Sequence, residues 1–264
     1  MNTNAMTAWL RDTRLALAAC VLGLLAWELA VRALGIPVYL LPAPSAILAA
    51  LAADPMLFLY HAAYTVQAAL TGFAVAVAAG VAMAILIVQS SPVERTLYPF
   101  LVTLNSIPKV AIAPLFIVWM GTGLEPKVAI AAMIAVFPIV IDMVHGLRSV
   151  DPDMIDLGKS VCGPGRMKIL WRIRFPHALP TLFAGMKVSI SLALIGAIVG
   201  EFVAARRGLG YLILMAQGQF DVVRMFAAIA VLCVAGLALF YLVGYSERLL
   251  LPWQTARRKA TAQQ

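Results

Sequence analysis

Side chains that could do covalent chemistry are few and scattered in this sequence. The three histidines, His61, His145 and His177, fall in different predicted loops, with no His-x-x-x-His or Glu-flanked spacing that would hold a metal. There is no Gly-x-Ser-x-Gly elbow for a nucleophilic serine and no glycine-rich phosphate loop ending in Lys-Ser or Lys-Thr. Cys20, Cys162 and Cys233 also lack ligand spacing; two lie in apolar runs and one in a basic stretch, which predicts free thiols and no disulfide. A membrane enzyme needs a nucleophile or metal held near a base. The expectation is therefore no catalytic residue, no metal and no cofactor.

The charged residues inside apolar runs carry more information, because intramembrane charge is costly. Glu28 and Arg32 are four apart on one helix face and are expected to pair. Asp142 and Lys187 come at similar depth in successive runs, where a buried or snorkelling pair is open to a structural or a solute-contacting reading. Glu201 closes a run; it either faces the mouth of a solute path or caps the helix in water. The densest charge lies between Asp156 and Pro176, where Lys159, Arg166, Lys168, Arg172 and Arg174 crowd one internal segment. Each would cost about 2.5–3.5 kcal/mol in hydrocarbon, so the segment belongs in water. Its Gly163-Pro164-Gly165 break reads as a turn joining two short helices, a docking element.

The elements that position these residues are membrane helices. Of 264 residues, 63% are hydrophobic and 12% charged, about half the ~25% charged fraction of soluble domains. The net charge of +8 sets topology in loops and does not point to nucleic acid. A span needs about 20 apolar residues. Leu15–Leu34, Tyr64–Gln89, Ala129–Gly146, Thr181–Glu201 and Val222–Tyr245 qualify, the first read as a retained span without a cleavage site. A sixth, irregular span comes third, from Ile107–Met120 extended into Val93–Asn105. It carries Pro99, Pro108 and Pro114, and such broken helices persist only where protein or a water-filled path covers the backbone. Pro108 and Pro114 are thus candidates for a translocation path, with Asp142, Lys187 and Glu201. Cations favour cytoplasmic N and C termini: Arg11, Arg95, Lys109, Arg148, the Lys159–Arg174 group and Arg257 fall on one side. Pro44 and Ser45 should start a short helix through Ala53. Small residues at Gly72–Gly80 and Ala193–Gly196–Gly200 predict close helix packing.

Gly163, nine further residues and then Ile173-Arg174-Phe175-Pro176 resemble the second half of the cytoplasmic E-A-A-x-x-x-G-(nine residues)-I-x-L-P loop of permease subunits of binding-protein-dependent ABC importers. The first half departs from it: Leu157, Gly158 and Lys159 stand where E-A-A belongs, with Asp156 one position early. The run from Ile107 to Gly121, together with Phe137-Pro138-Ile139, Gly146 to Pro152 and Gly208 to Ile213, is similar to the nitrate/sulfonate/taurine and thiamine-pyrimidine-precursor subfamily. The resemblance covers roughly Leu41 to Trp253. It implies an all-α membrane protein with the type I ABC importer permease fold, six transmembrane helices and cytoplasmic termini, residues 1–264 forming one permease domain with a coupling loop at about 151–176. It implies a multi-pass protein of the bacterial cytoplasmic (inner) membrane that forms the path for a small solute delivered by an extracytoplasmic solute-binding protein. Asp156, Leu157, Gly158, Gly163, Ile173 and Pro176 would contact cytoplasmic ABC ATPase subunits, in which ATP hydrolysis would reside. A second permease copy or a sister subunit would complete the path. The Leu182–Lys187 and Ile195–Phe202 stretches are similar to carriers of thiamine-pyrimidine precursors or riboflavin, with sulfonates, taurine, nitrate and aromatic acids also open. The competing classes are a stand-alone secondary carrier, which would show paired broken helices and inverted repeats, and a membrane enzyme.

Overall fold

The computed structural model describes residues 3–162 and 165–252. Among them every regular element is helical: α1 (Thr3–Ala33), α2 (Pro44–Ala53), α3 (Pro55–Gln89), α4 (Ser91–Ser106), α5 (Lys109–Met120), α6 (Glu125–Arg148), α7 (Pro152–Cys162), α8 (Arg166–Ile169), a π turn (Leu170–Arg174), α9 (Phe175–Ala204), α10 (Leu209–Gly218) and α11 (Val222–Leu250). Four helical stretches are long and apolar enough to cross a bilayer: Pro55–Gln89, Glu125–Arg148, Arg166–Ala204 and Val222–Leu250. The chain forms two compact units, one from Met1–Leu59 with Leu212–Val231 and the other from Tyr60–Tyr211 with Leu232–Gln264.

In the first unit, α1 ends in a Schellman turn. Gly35 adopts φ 60° and the Ile36 N–H reaches back to the Val31 carbonyl at 3.0 Å. Arg32 pairs with Glu28 at 2.5 Å as their spacing predicts. Glu28 does more than pair: it accepts the backbone N–H of Ser45 at 3.0 Å and its hydroxyl at 2.8 Å. It thereby caps the first turn of α2, whose first residue is Pro44 as expected. The Asp54 side chain performs the same service for α3, accepting the Leu57 N–H at 3.1 Å. A second Schellman turn closes α10, with Asp221 N–H bonded to the Ala216 carbonyl at 2.9 Å; it holds Phe220 at φ 57°.

The second unit is built on α6, which packs along α9 and α3 through the small residues singled out above. A β-carbon on Gly196 would lie 2.6 Å from Ala131 Cα, and one on Gly72 would lie 2.5 Å from Ala131 Cβ. Gly80 faces Ile139 and Gly200 faces the Lys127 backbone. Ala131, Ala135, Ile139, Val140 and Met143 of α6 form the core with Ile190, Ala193 and Ala197 of α9. Without Cβ atoms these helices approach closely enough for dispersion to replace the hydrophobic drive that lipid does not supply.

Two expectations are corrected. The three histidines lie in helices, His61 in α3, His145 in α6 and His177 in α9, since a polar residue does not interrupt a helix whose flanking residues bury one face. The Asp156–Pro176 segment is not two short helices. Its second half runs without a break into α9, and the stretch from Arg166 to Ala204 spans 39 residues. The reason is local: Pro176 has no N–H to offer, and the π turn absorbs that loss. The Phe175 N–H bonds five residues back to the Leu170 carbonyl.

Candidate functional site

Three regions hold the sequence-predicted residues. The first is the hairpin of α7 with α8 and the π turn. Gly158 of α7 is buried against Ile173 of the π turn, whose Cδ1 occupies the place a side chain at Gly158 would need. Two residues predicted to act together are thus in contact, and Pro176 follows in the first turn of α9. Asp156 pairs with Lys159 at 2.6 Å. Gly163 and Pro164 lie outside the described residues. Leu157 was among the expected contact residues, but sequence reasoning missed the stripe it belongs to on the outer face of α7: Met154, Leu157 and Val161, at i, i+3 and i+7, form one apolar row, Leu157 being 62% and Val161 77% exposed. Their spacing was the available signal. Behind α7, a cleft of about 320 Å³ is lined by Val88, Gln89, Ile155, Lys159, Arg166 and Arg174.

The second region is the break between α4 and α5. Pro108 takes an extended conformation (φ −66°, ψ 93°) and separates the two helices, whereas Pro99 and Pro114 are carried inside α4 and α5. Lys109 does not belong among the loop cations. Its Nζ sits 4.4 Å from the centroid of the Phe137 ring, and Phe137 is midway along the membrane-length α6. Linear position could not reveal this placement, because the Phe137 ring that Lys109 meets lies 28 residues on in sequence. Asp142 and Lys187 are not brought together: Lys187 pairs with Glu247 of α11, while Asp142 packs against Gly185. The carboxylate of Glu247, sixty positions on in sequence, is the nearer partner in space.

The third region surrounds Glu201, which is not in water but 2% exposed. Three consecutive N–H groups at the start of α10 each meet a side chain. Gly208 donates to His61 Nδ1 at 3.0 Å, Leu209 to Thr65 Oγ1 at 2.7 Å and Gly210 to Glu201 Oε2 at 2.7 Å. The Thr65 hydroxyl in turn donates to Glu201 Oε1 at 2.8 Å, linking two of the three caps. Gly208, at φ 113°, turns the chain tightly against the carboxylate. Two of these orphan donors of a helix start are satisfied by residues over 140 positions away, and the third by Glu201 nine residues back, an arrangement no local pattern announces. Nearby, Arg207 donates to the Tyr64 hydroxyl at 2.5 Å and stacks on the Tyr64 ring.

The cap carries a prediction. Glu201→Ala strands the buried Gly210 N–H and leaves the Thr65 hydroxyl only the longer bond to the His61 carbonyl at 3.3 Å, and should cost about 1–3 kcal/mol. Glu201→Gln keeps an accepting oxygen and should lose much less. Thermal unfolding of the detergent-solubilised protein checks this; equal losses for the two variants would contradict the capping role.

None of the three regions assembles a nucleophile with a base, and among the described residues no three His, Cys, Asp or Glu side chains cluster to hold a metal. Membrane-length helices and a proline-broken pair are elements that suit a membrane transport protein. The family of binding-protein-dependent transport system inner membrane components matches residues 76–251, and the chain belongs to it. The riboflavin transport system permease protein RibX of Chloroflexus aurantiacus is 38% identical over 87% of this chain and 86% of its own length. The formylaminopyrimidine transport permease protein ThiX of Halalkalibacterium halodurans is 33% identical over 86% of this chain and 91% of its own length. The taurine transport system permease protein TauC of Escherichia coli is 29% identical over 76% and 72%. The protein is a multi-pass membrane permease, the translocation-path subunit of an ABC importer.

Proposed function

We propose that this permease couples to cytoplasmic ABC ATPase subunits through residues 151–176, with Asp156, Leu157, Gly158, Gly163, Ile173 and Pro176 forming the contact. The carrying observation is the uncovered Met154–Leu157–Val161 stripe on α7, seated by Gly158 on the π turn that leads rigidly into α9. A docked ATPase would bury that stripe, and its closure would be transmitted along α9 into the membrane. ATP hydrolysis takes place in the partner, and an extracytoplasmic binding protein delivers the solute. A second copy or a sister permease completes the path in the bacterial inner membrane. The path runs beside the Pro108 break and Pro114, past Asp142 and Lys187, with Glu201 shaping one end. The solute is a planar nitrogen heterocycle of the riboflavin or pyrimidine kind, in keeping with what the relatives at 38% and 33% identity are named for. Uptake of radiolabelled riboflavin by cells expressing the whole transporter tests this, competition by excess taurine being the contrary result.

The four long apolar stretches, with α1 and the α4–α5 pair, make six spans in one permease domain of residues 1–264 with both termini cytoplasmic. A cysteine introduced at Arg257 should react with a membrane-impermeant thiol reagent in inverted vesicles and not in intact spheroplasts. Labelling from the outside alone would overturn this topology.

A further inference from the structure

Lys109 differs in its surroundings from the ion-paired cations of the chain. Arg32, Arg148, Lys159, Lys187 and Arg224 each meet a carboxylate. No carboxylate pairs with Lys109 among the described residues. Its neighbours are neutral: the Asn105 side-chain oxygen at 2.6 Å, the Asn105 carbonyl at 3.4 Å and the face of Phe137. Phe137 is twelve residues from Glu125 and eleven from Arg148, hence roughly 16–18 Å from either end of α6 at about 1.5 Å per residue. A hydrocarbon core is ~30 Å thick, so the ammonium group is near its middle. Above it, Ala113 of α5 is sealed against Ile130 and Ile134 of α6, so α5 is anchored and the lysine is fixed at this level.

The structural reading is that Lys109 caps the last carbonyls of α4, which the break at Pro108 leaves open. The Asn105 contacts are of that kind, but they leave the positive charge uncompensated and at least one N–H unused. An intramembrane charge is tolerated where it faces a water-filled path. The side chain is only half buried, and Asn105 and Pro108 beside it are exposed.

Resting on the reading that the α4–α5 break borders the path, we propose that Lys109 is a solute-binding cation at mid-membrane, taking an anionic or carbonyl oxygen of the passing solute. Phe137 and Asn105 hold the ammonium group in place without neutralising it, so it attracts acceptors strongly yet releases them.

The test uses the permease assembled with its ATPase and binding protein in proteoliposomes, with Cys20, Cys162 and Cys233 replaced and Asn105→Cys introduced. The probes are a sulfonate-bearing and a trimethylammonium-bearing methanethiosulfonate, their rates on the permease normalised to a free thiol. With Lys109 present the sulfonate reagent should react about tenfold faster than the cationic one. Lys109→Met should reduce the ratio to less than twofold, and Lys109→Arg should retain it. Reaction with both reagents at a ratio that Lys109→Met leaves unchanged keeps the path and overturns the role of Lys109. No reaction with either reagent, both without nucleotide and with vanadate-trapped ATP, removes the break from the path, and the proposal with it.

Discussion

Gly196→Leu is expected to abolish accumulation of folded permease. A β-carbon at this position would meet Ala131 Cα at 2.6 Å, Ala131 N at 3.1 Å and the Ile130 carbonyl oxygen at 3.1 Å. These are backbone atoms of the second turn of α6 and cannot rotate aside as a side chain would. The only relief is separation of α6 from α9, which opens the core formed by Ala131, Ala135, Ala193 and Ala197. Overpacking usually costs about 1–3 kcal/mol where side chains can adjust; here the cost should exceed that range. Gly23→Ala is the control, since nothing lies within 4 Å of a β-carbon there. Size-exclusion profiles and thermal unfolding in detergent should show aggregation or loss for Gly196→Leu and normal behaviour for Gly23→Ala.

Leu157→Asp should leave folding intact and uncouple the transporter. The side chain is 62% exposed and, with Met154 and Val161, belongs to a stripe that the permease alone does not cover. Surface substitutions of this kind usually change stability by less than about 0.5 kcal/mol. In a buried interface the same aspartate would lie unpaired among apolar groups, and losses of 2 kcal/mol or more are typical of such central positions. That corresponds to roughly a thirtyfold weaker complex. Gly158 explains why the stripe points outward: its missing side chain lets α7 sit flush on Ile173.

Local chemistry was readable wherever partners are close in sequence. The Glu28–Arg32 pair, the Pro44 start of α2 and the Pro108 break follow from spacing and from proline's missing donor. The small-residue runs around Gly72 and Gly196 announced close packing, although not that both would meet at Ala131. What stayed hidden depends on distant parts of the chain. Two caps on α10 come from His61 and Thr65, over 140 residues away, and Lys187 finds Glu247 instead of Asp142. The contact of Lys109 with Phe137 was equally illegible, since hydropathy assigns a charge next to a proline to a loop. The π turn escaped because Pro176 suggests a helix boundary, and only the five-residue hydrogen bond shows how the helix survives it.

The central claim is that α7 and the π turn couple this permease to an ATPase. It is tested most directly by solute-stimulated ATP hydrolysis of the complex reconstituted with its ATPase and binding protein, comparing the natural permease with Leu157→Asp. Both should insert and purify alike. The natural chain should bring the ATPase through purification and stimulate hydrolysis, while Leu157→Asp should recover little ATPase and lose the stimulation by an order of magnitude or more. Equal recovery and equal stimulation would contradict the account.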